Sequence, residues 1–151
     1  MHFKTVKDVV DHSRRLHQQI SQFYHKLSEE NGKARVSMLL EYLKRHEDHL
    51  EATLDKFGHD ESQGVLDSWF QYAPDQDLKD VMSEIEVSDH MDTDDVVAMA
   101  LKLDDYFIDL YQGMVNDASS SAVKAVFQNL LDMEEHEKIQ ISKTALQIND
   151  M

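Results

Sequence analysis

Two stretches that share one pattern decide the fold: Leu43-Lys44-Arg45-His46-Glu47-Asp48-His49-Leu50 and Leu130-Leu131-Asp132-Met133-Glu134-Glu135-His136-Glu137. Leucine, glutamate and histidine recur in them at a constant offset of 87 positions, which carries Glu47 onto Glu134 and His49 onto His136. The offset also carries Tyr24 onto Tyr111, and it holds without a gap. The chain therefore contains one structural unit twice.

Apolar residues recur at intervals of three and four along four segments, which is the spacing of a helix with one buried face. Asn31-Gly32 supplies residue types that allow a helix to end and the chain to turn back, and Ser119-Ser120-Ser121 can cap the last helix. We therefore predict an all-α, antiparallel four-helix bundle made of two pseudo-symmetric helical hairpins. The predicted helices cover about residues 5–30, 33–57, 94–115 and 121–148, so that the hairpins span about 5–57 and 93–148.

The segment between the hairpins, residues 58–92, contains apolar clusters on both sides of Pro74. Its composition differs from that of a flexible linker between domains. We expect two short helices, about 62–72 and 76–87, that form a long crossover across the bundle. The whole chain, 1–151, is then a single domain.

Composition limits the classes of partner. The 30 acidic and 15 basic residues give a formal net charge of −15, which opposes binding to nucleic-acid phosphates and to anionic lipid. The sequence lacks an apolar run of about 18 residues that could span a membrane, and its N-terminus is charged too early for a secretory signal. It also lacks cysteine, which excludes thiolate metal ligands and fits a reducing compartment. We expect a cytoplasmic protein.

Helical wheels place six side chains with metal-binding or sulfur groups on the inward faces of the four helices. Imidazole nitrogens with a carboxylate suit Fe, Zn, Ni, Co or Cu better than Ca or Mg. A single buried histidine is more often a hydrogen-bonded core residue than a ligand, but several on facing helices favour a metal site. The six residues are His17, His46, His49, Asp104, Met133 and His136.

This arrangement resembles the ferritin-like superfamily, and most closely its rubrerythrin-type di-iron branch. In that branch each hairpin supplies a Glu from its first helix and a Glu-x-x-His from its second. The resemblance rests on Tyr24 and Tyr111, which stand seven residues after His17 and Asp104, and on the paired histidines His49 and His136. It implies bound iron or a similar metal and, for an enzyme, metal-dependent redox or oxygen chemistry.

The ligand set departs from the pattern of that branch, because His17, His46, Asp104 and Met133 stand where the resemblance expects Glu. With Asp104 as the one carboxylate, two divalent ions would leave about three uncompensated positive charges in an apolar interior. The sequence therefore favours one transition-metal ion, with two as the upper limit. The predicted metal ligands are His17, His46, His49, Asp104 and His136.

Two alternatives stay open at this point. Glu47 and Glu134 adjoin the predicted ligands, and a one-residue bulge in the helix could turn either of them inward. The chain could also be a ferritin-like scaffold that has lost its metal and acts as a dimerisation or partner-binding module. In that case a methionine-rich surface would form the contact, and we expect a homodimer under either hypothesis. The methionines are Met82, Met91, Met99 and Met114, and the histidines expected to be exposed are His2, His12, His25, His59 and His90.

Overall fold

The computed structural model describes residues 5–61, 63–68, 78–88 and 90–150. In these ranges the chain is almost entirely helical, which confirms the predicted all-α class. Four long helices form the bundle, and two short ones lie in the crossover. Their bounds are α1 (Val6–Glu30), α2 (Ala34–Asp60), α3 (Gln63–Leu66), α4 (Leu78–Ser83), α5 (Thr93–Asp117) and α6 (Ser121–Asn149).

The helix boundaries repeat with the offset found in the sequence. Helices α1 and α5 each have 25 residues, and both their first and their last residues are 87 positions apart. Helices α2 and α6 also begin 87 positions apart. The capping boxes correspond as well, because Thr5 and Asp8 cap α1 while Asp92 and Asp95 cap α5. The two hairpins are therefore one structural unit used twice.

Replacing Asp92 by Ala is expected to lower the free energy of unfolding, because the Asp92 carboxylate accepts a hydrogen bond from the backbone N–H of Asp95. Urea denaturation measures the loss. Asp94→Ala removes a carboxylate from the same first turn without removing that cap, and serves as the control. An equal loss in the two variants would contradict a capping role.

Hydrogen bonds at one end of the bundle show which helix ends lie together. The Asn31 side chain, in the turn between α1 and α2, donates to the carbonyl of Met91 at the start of α5. Arg35 donates to the carbonyl of Asn149 at the end of α6, and Thr93 bonds the Asn149 side chain. Helices α2 and α5 therefore start at the same end, and the crossover must return along the bundle. This is the connection expected for a bundle of two hairpins with one long crossover.

The crossover helices are shorter than predicted. Helix α3 covers four residues and α4 covers six, against the expected 62–72 and 76–87. Residues 69–77, which include Pro74, lie outside the described part of the chain. The described part nevertheless joins the bundle, because Leu66 and Val81 are buried in its core and the N–H of Val6 donates to the carbonyl of Ser68.

Apolar side chains from all four long helices fill the bundle, and a small group of polar side chains is buried among them. Met91, Met99 and Met114 belong to this core, so the expected methionine contact surface is wrong for these three residues. Within the described ranges, each helix is too short or too polar to cross a membrane.

Candidate metal centre

The structure places three of the five predicted ligands inside the bundle and two outside it. His17, His46 and Asp104 are buried, whereas His49 and His136 are exposed. The prediction that His49 and His136 point inward is therefore wrong. Each lies two residues beyond a glutamate that is buried, and two residues correspond to about 160° around an ideal helix.

Those glutamates, Glu47 and Glu134, occupy the inward positions instead. Their exposed fractions are 1% and 0%, and both helices continue through them as regular α-helix without the bulge that we had considered. Glu47 lies four residues after Leu43 and three before Leu50, on the line of the apolar stripe. That spacing was the sequence signal for its burial. Glu134 is the equivalent residue of the second hairpin at the offset of 87, so the repeat predicts the same inward position for it.

His17 lies between the two glutamates. Its Nδ1 contacts a carboxylate oxygen of Glu47, and its Nε2 is 3.1 Å from Oε1 of Glu134. A neutral imidazole has one N–H, so donation to both carboxylates requires the doubly protonated imidazolium. The ring stacks on Phe107 with the centroids 4.0 Å apart and the planes 14° apart, which fixes its orientation.

The surroundings of His17 stabilise that charge. Burial of the ring lowers its pKa, but the negative charges of Glu47 and Glu134 and the hydrogen bonds to them raise it further, to about 10. His17 is therefore a cation at neutral pH in this arrangement. It joins α1 to α2 and to α6 through charge-assisted hydrogen bonds.

Asp104 completes the group from α5. Burial, and then the charges of Glu47 and Glu134, raise the pKa of the Asp104 carboxyl well above its usual range. Burial also raises the pKa of the Glu134 carboxyl, although the positive charge of His17 opposes this shift. Three carboxyl groups from three helices thus share one dehydrated region, and the charges of Glu47 and Glu134 disfavour a charge on Asp104.

His46 lies beside this group on α2. Its Nδ1 is 2.8 Å from Oε2 of Glu137 on α6, while its Nε2 is buried and has no hydrogen-bond partner. Four carboxylate oxygens of the described residues are also buried without a hydrogen-bond partner: Oε1 of Glu47, Oε2 of Glu134 and both oxygens of Asp104. A buried polar atom without a partner costs about 1–3 kcal/mol. Five neighbouring ones need a structural or functional explanation.

These donors fit one cation better than two. In a Glu-x-x-His pair the histidine follows the glutamate by three residues, but here the residue three after Glu47 is Leu50 and the residue three after Glu134 is Glu137. No three His, Asp or Glu side chains of the described chain are already arranged around a common ion position. One oxygen of Glu47 and one of Glu134 instead face His17.

The whole architecture has a counterpart among solved structures. It is similar to a protein from Thermotoga maritima that is provisionally described as a ferritin-like diiron-carboxylate protein. The TM-score is 0.66, the sequence identity is 19%, and the alignment covers 95% of each chain. The chain has a ferritin-like fold. No protein-family model and no curated protein matches it. At this identity the similarity extends to the fold alone.

Other polar side chains of this ferritin-like bundle are also buried. Tyr24 and Tyr111 are buried, and burial and then the charge of a nearby carboxylate raise the pKa of each phenol well above its usual range, so both stay protonated. His12 is buried rather than exposed as expected, and its Nε2 is 3.1 Å from the hydroxyl of Tyr106. His25, His59 and His90 are exposed as predicted, and His2 lies outside the described residues.

Proposed function

We propose that this protein binds one transition-metal ion per chain at the centre of its bundle. The ligands would be the carboxylates of Glu47, Asp104 and Glu134 and the imidazole of His46, and His17 would join them only after losing a proton to become a neutral imidazole. The observation that carries this proposal is the set of five unpartnered nitrogen and oxygen atoms on Glu47, Asp104, Glu134 and His46. His49 and His136 leave the proposed set because they are exposed.

The charges support a single ion. Three buried carboxylates can compensate the charge of one divalent or trivalent ion. A second ion is less favoured, because Leu50 offers no donor atom. Carboxylate and imidazole ligands together suit Fe, Zn or Co, whereas Cu and Ni are favoured by sites with more nitrogen donors. A redox-active ion would supply electron-transfer or oxygen chemistry, and zinc would supply structural stabilisation.

Metal analysis of untagged protein purified without chelator tests the proposal. We expect about one equivalent of one transition metal in the unaltered protein, and its loss in the double variant Glu47→Gln/Glu134→Gln. The matched control is His49→Gln/His136→Gln, which changes the two exposed histidines and should keep its metal. Less than about a tenth of an equivalent in the unaltered protein, before and after incubation with Fe(II), Zn(II) and Co(II), would contradict metal binding.

One observation favours a second candidate, a metal-free scaffold. The imidazolium of His17 already supplies a positive charge to Glu47 and Glu134, so the folded state has an internal counter-ion without metal. Such a scaffold would act as a dimerisation or partner-binding module. Chelator would then leave the melting temperature unchanged, whereas a bound ion adds stability that chelation removes. The homodimer and the cytoplasmic location stay predictions, and sedimentation tests the homodimer.

A further inference from the structure

The repeat breaks at two pairs of positions beside the centre. The offset of 87 relates His46 to Met133, and it relates Leu50 to Glu137. The contact between His46 on α2 and Glu137 on α6 therefore corresponds to Leu50 on α2 and Met133 on α6, one helical turn away between the same two helices. One of these two pseudo-equivalent positions is polar, and the other is apolar.

The polar position, formed by His46 and Glu137, connects the surface to the buried carboxylates. The Glu137 side chain is 20% exposed, and its carboxylate is 2.8 Å from Nδ1 of His46, whose side chain is only 2% exposed. The other ring nitrogen of His46 is buried without a partner. His46 is also close enough to the buried carboxyl of Glu134 to interact with it electrostatically. Polar atoms thus follow one another from solvent through Glu137 and His46 to Glu134.

The apolar position, formed by Leu50 and Met133, has no such series of polar atoms. Leu50 is fully buried, and Met133 is a partly buried side chain packed against the core. An aliphatic chain has no donor atoms, and a thioether is a weak ligand for a hydrated divalent ion. Moving an ion past these two residues would mean removing its water without replacement, which is costly in an apolar interior.

We infer that a cation reaches the central carboxylates between α2 and α6, through Glu137 and His46, and that Leu50 and Met133 close the equivalent position one turn away between the same two helices. The inference rests on the proposed metal binding. Glu137 attracts the ion at the surface with its partly exposed carboxylate. His46, which Glu137 orients through Nδ1, presents its free nitrogen towards the interior and replaces part of the ion's water.

Stopped-flow uptake of Co(II) by chelator-treated protein tests the route, because the visible absorbance of Co(II) reports its coordination. Glu137→Gln keeps an acceptor for Nδ1 of His46 but removes the charge. We expect its association rate constant to fall about tenfold or more, with the equilibrium dissociation constant changed less than about threefold, because Glu137 is outside the proposed ligand set. Glu135→Gln, which removes the same charge from an exposed neighbour, should bind Co(II) at the unaltered rate.

Each of the other possible results would contradict the inference. Equal slowing in Glu135→Gln and Glu137→Gln would mean general surface attraction, and an unchanged rate in Glu137→Gln would mean another route; both overturn the inference. Faster uptake after Met133→Ala in the Glu137→Gln background would place the route at the apolar position and would also overturn the inference. A weaker equilibrium constant with an unchanged rate would make Glu137 a ligand. No uptake by the unaltered protein would overturn the metal proposal as well.

Discussion

Replacing His17 by Leu should lower the free energy of unfolding of the metal-free protein by about 3–5 kcal/mol, the usual cost of removing one partner from a buried ion pair. Both ring nitrogens of His17 face carboxylates that are almost completely buried. Without the imidazolium, Glu47 and Glu134 must either stay charged in an apolar interior or take up protons. Urea denaturation at neutral pH with excess chelator measures the loss.

Two further variants separate this effect from loss of packing. The triple variant His17→Leu/Glu47→Leu/Glu134→Leu should regain most of the stability, because well-packed apolar residues often replace a buried charged group at no net cost. His25→Leu, which removes an exposed histidine that also contacts two glutamates, should change stability by less than about 1 kcal/mol. A triple variant as unstable as His17→Leu would contradict the proposed charge balance.

The metal-free protein should also become less stable as the pH rises above neutral. The pKa of His17 is about 10 in the folded chain against an ordinary value of 6.5. Its contribution is therefore complete below about pH 6.5 and is lost as the pH rises through 10. A shift of this size corresponds to at most about 5 kcal/mol. The raised pKa of Asp104 acts in the same direction, because the folded state favours its protonated form.

Urea denaturation at several pH values between 6.5 and 9.5, with chelator present, would show this loss. The His17→Leu variant should show a clearly smaller decline over the same range, since the titrating ring is absent. An equal decline would assign the effect to other groups. The metal-loaded protein should behave in the opposite way, because protons and a cation compete for the same donors and the ion binds more tightly as the pH rises.

The fold was predictable because several independent features agree. Helical periodicity located the four long helices, and the gap-free offset of 87 related the hairpins. The structure confirms the offset to the residue at both ends of α1 and α5, although the predicted helix bounds differ from the observed ones by up to two residues. The crossover was less predictable, because its short helices depend on contacts with the bundle more than on their own periodicity. Helix α3, for example, has four residues, too few to be stable alone.

The centre was predicted only in part, and the reason is specific. The sequence correctly predicts that His17, His46 and Asp104 lie inside the bundle, but it favours His49 and His136 over Glu47 and Glu134, which are the buried residues. Glutamate is seldom fully buried, so its chemical type argued against the position that its spacing from Leu43 and Leu50 indicated. The partner that allows Glu134 to be buried, His17, lies on another helix, so the sequence around Glu134 does not reveal it.

His17 and Asp104 occupy equivalent positions in the two hairpins, and this difference makes the halves non-interchangeable. Pairing α5–α6 with a second copy of itself would bury two aspartates and two glutamates without any basic group. Pairing α1–α2 with α5–α6 supplies the missing imidazolium. The residue type at this one position therefore disfavours pairing of α5–α6 with a second copy of itself.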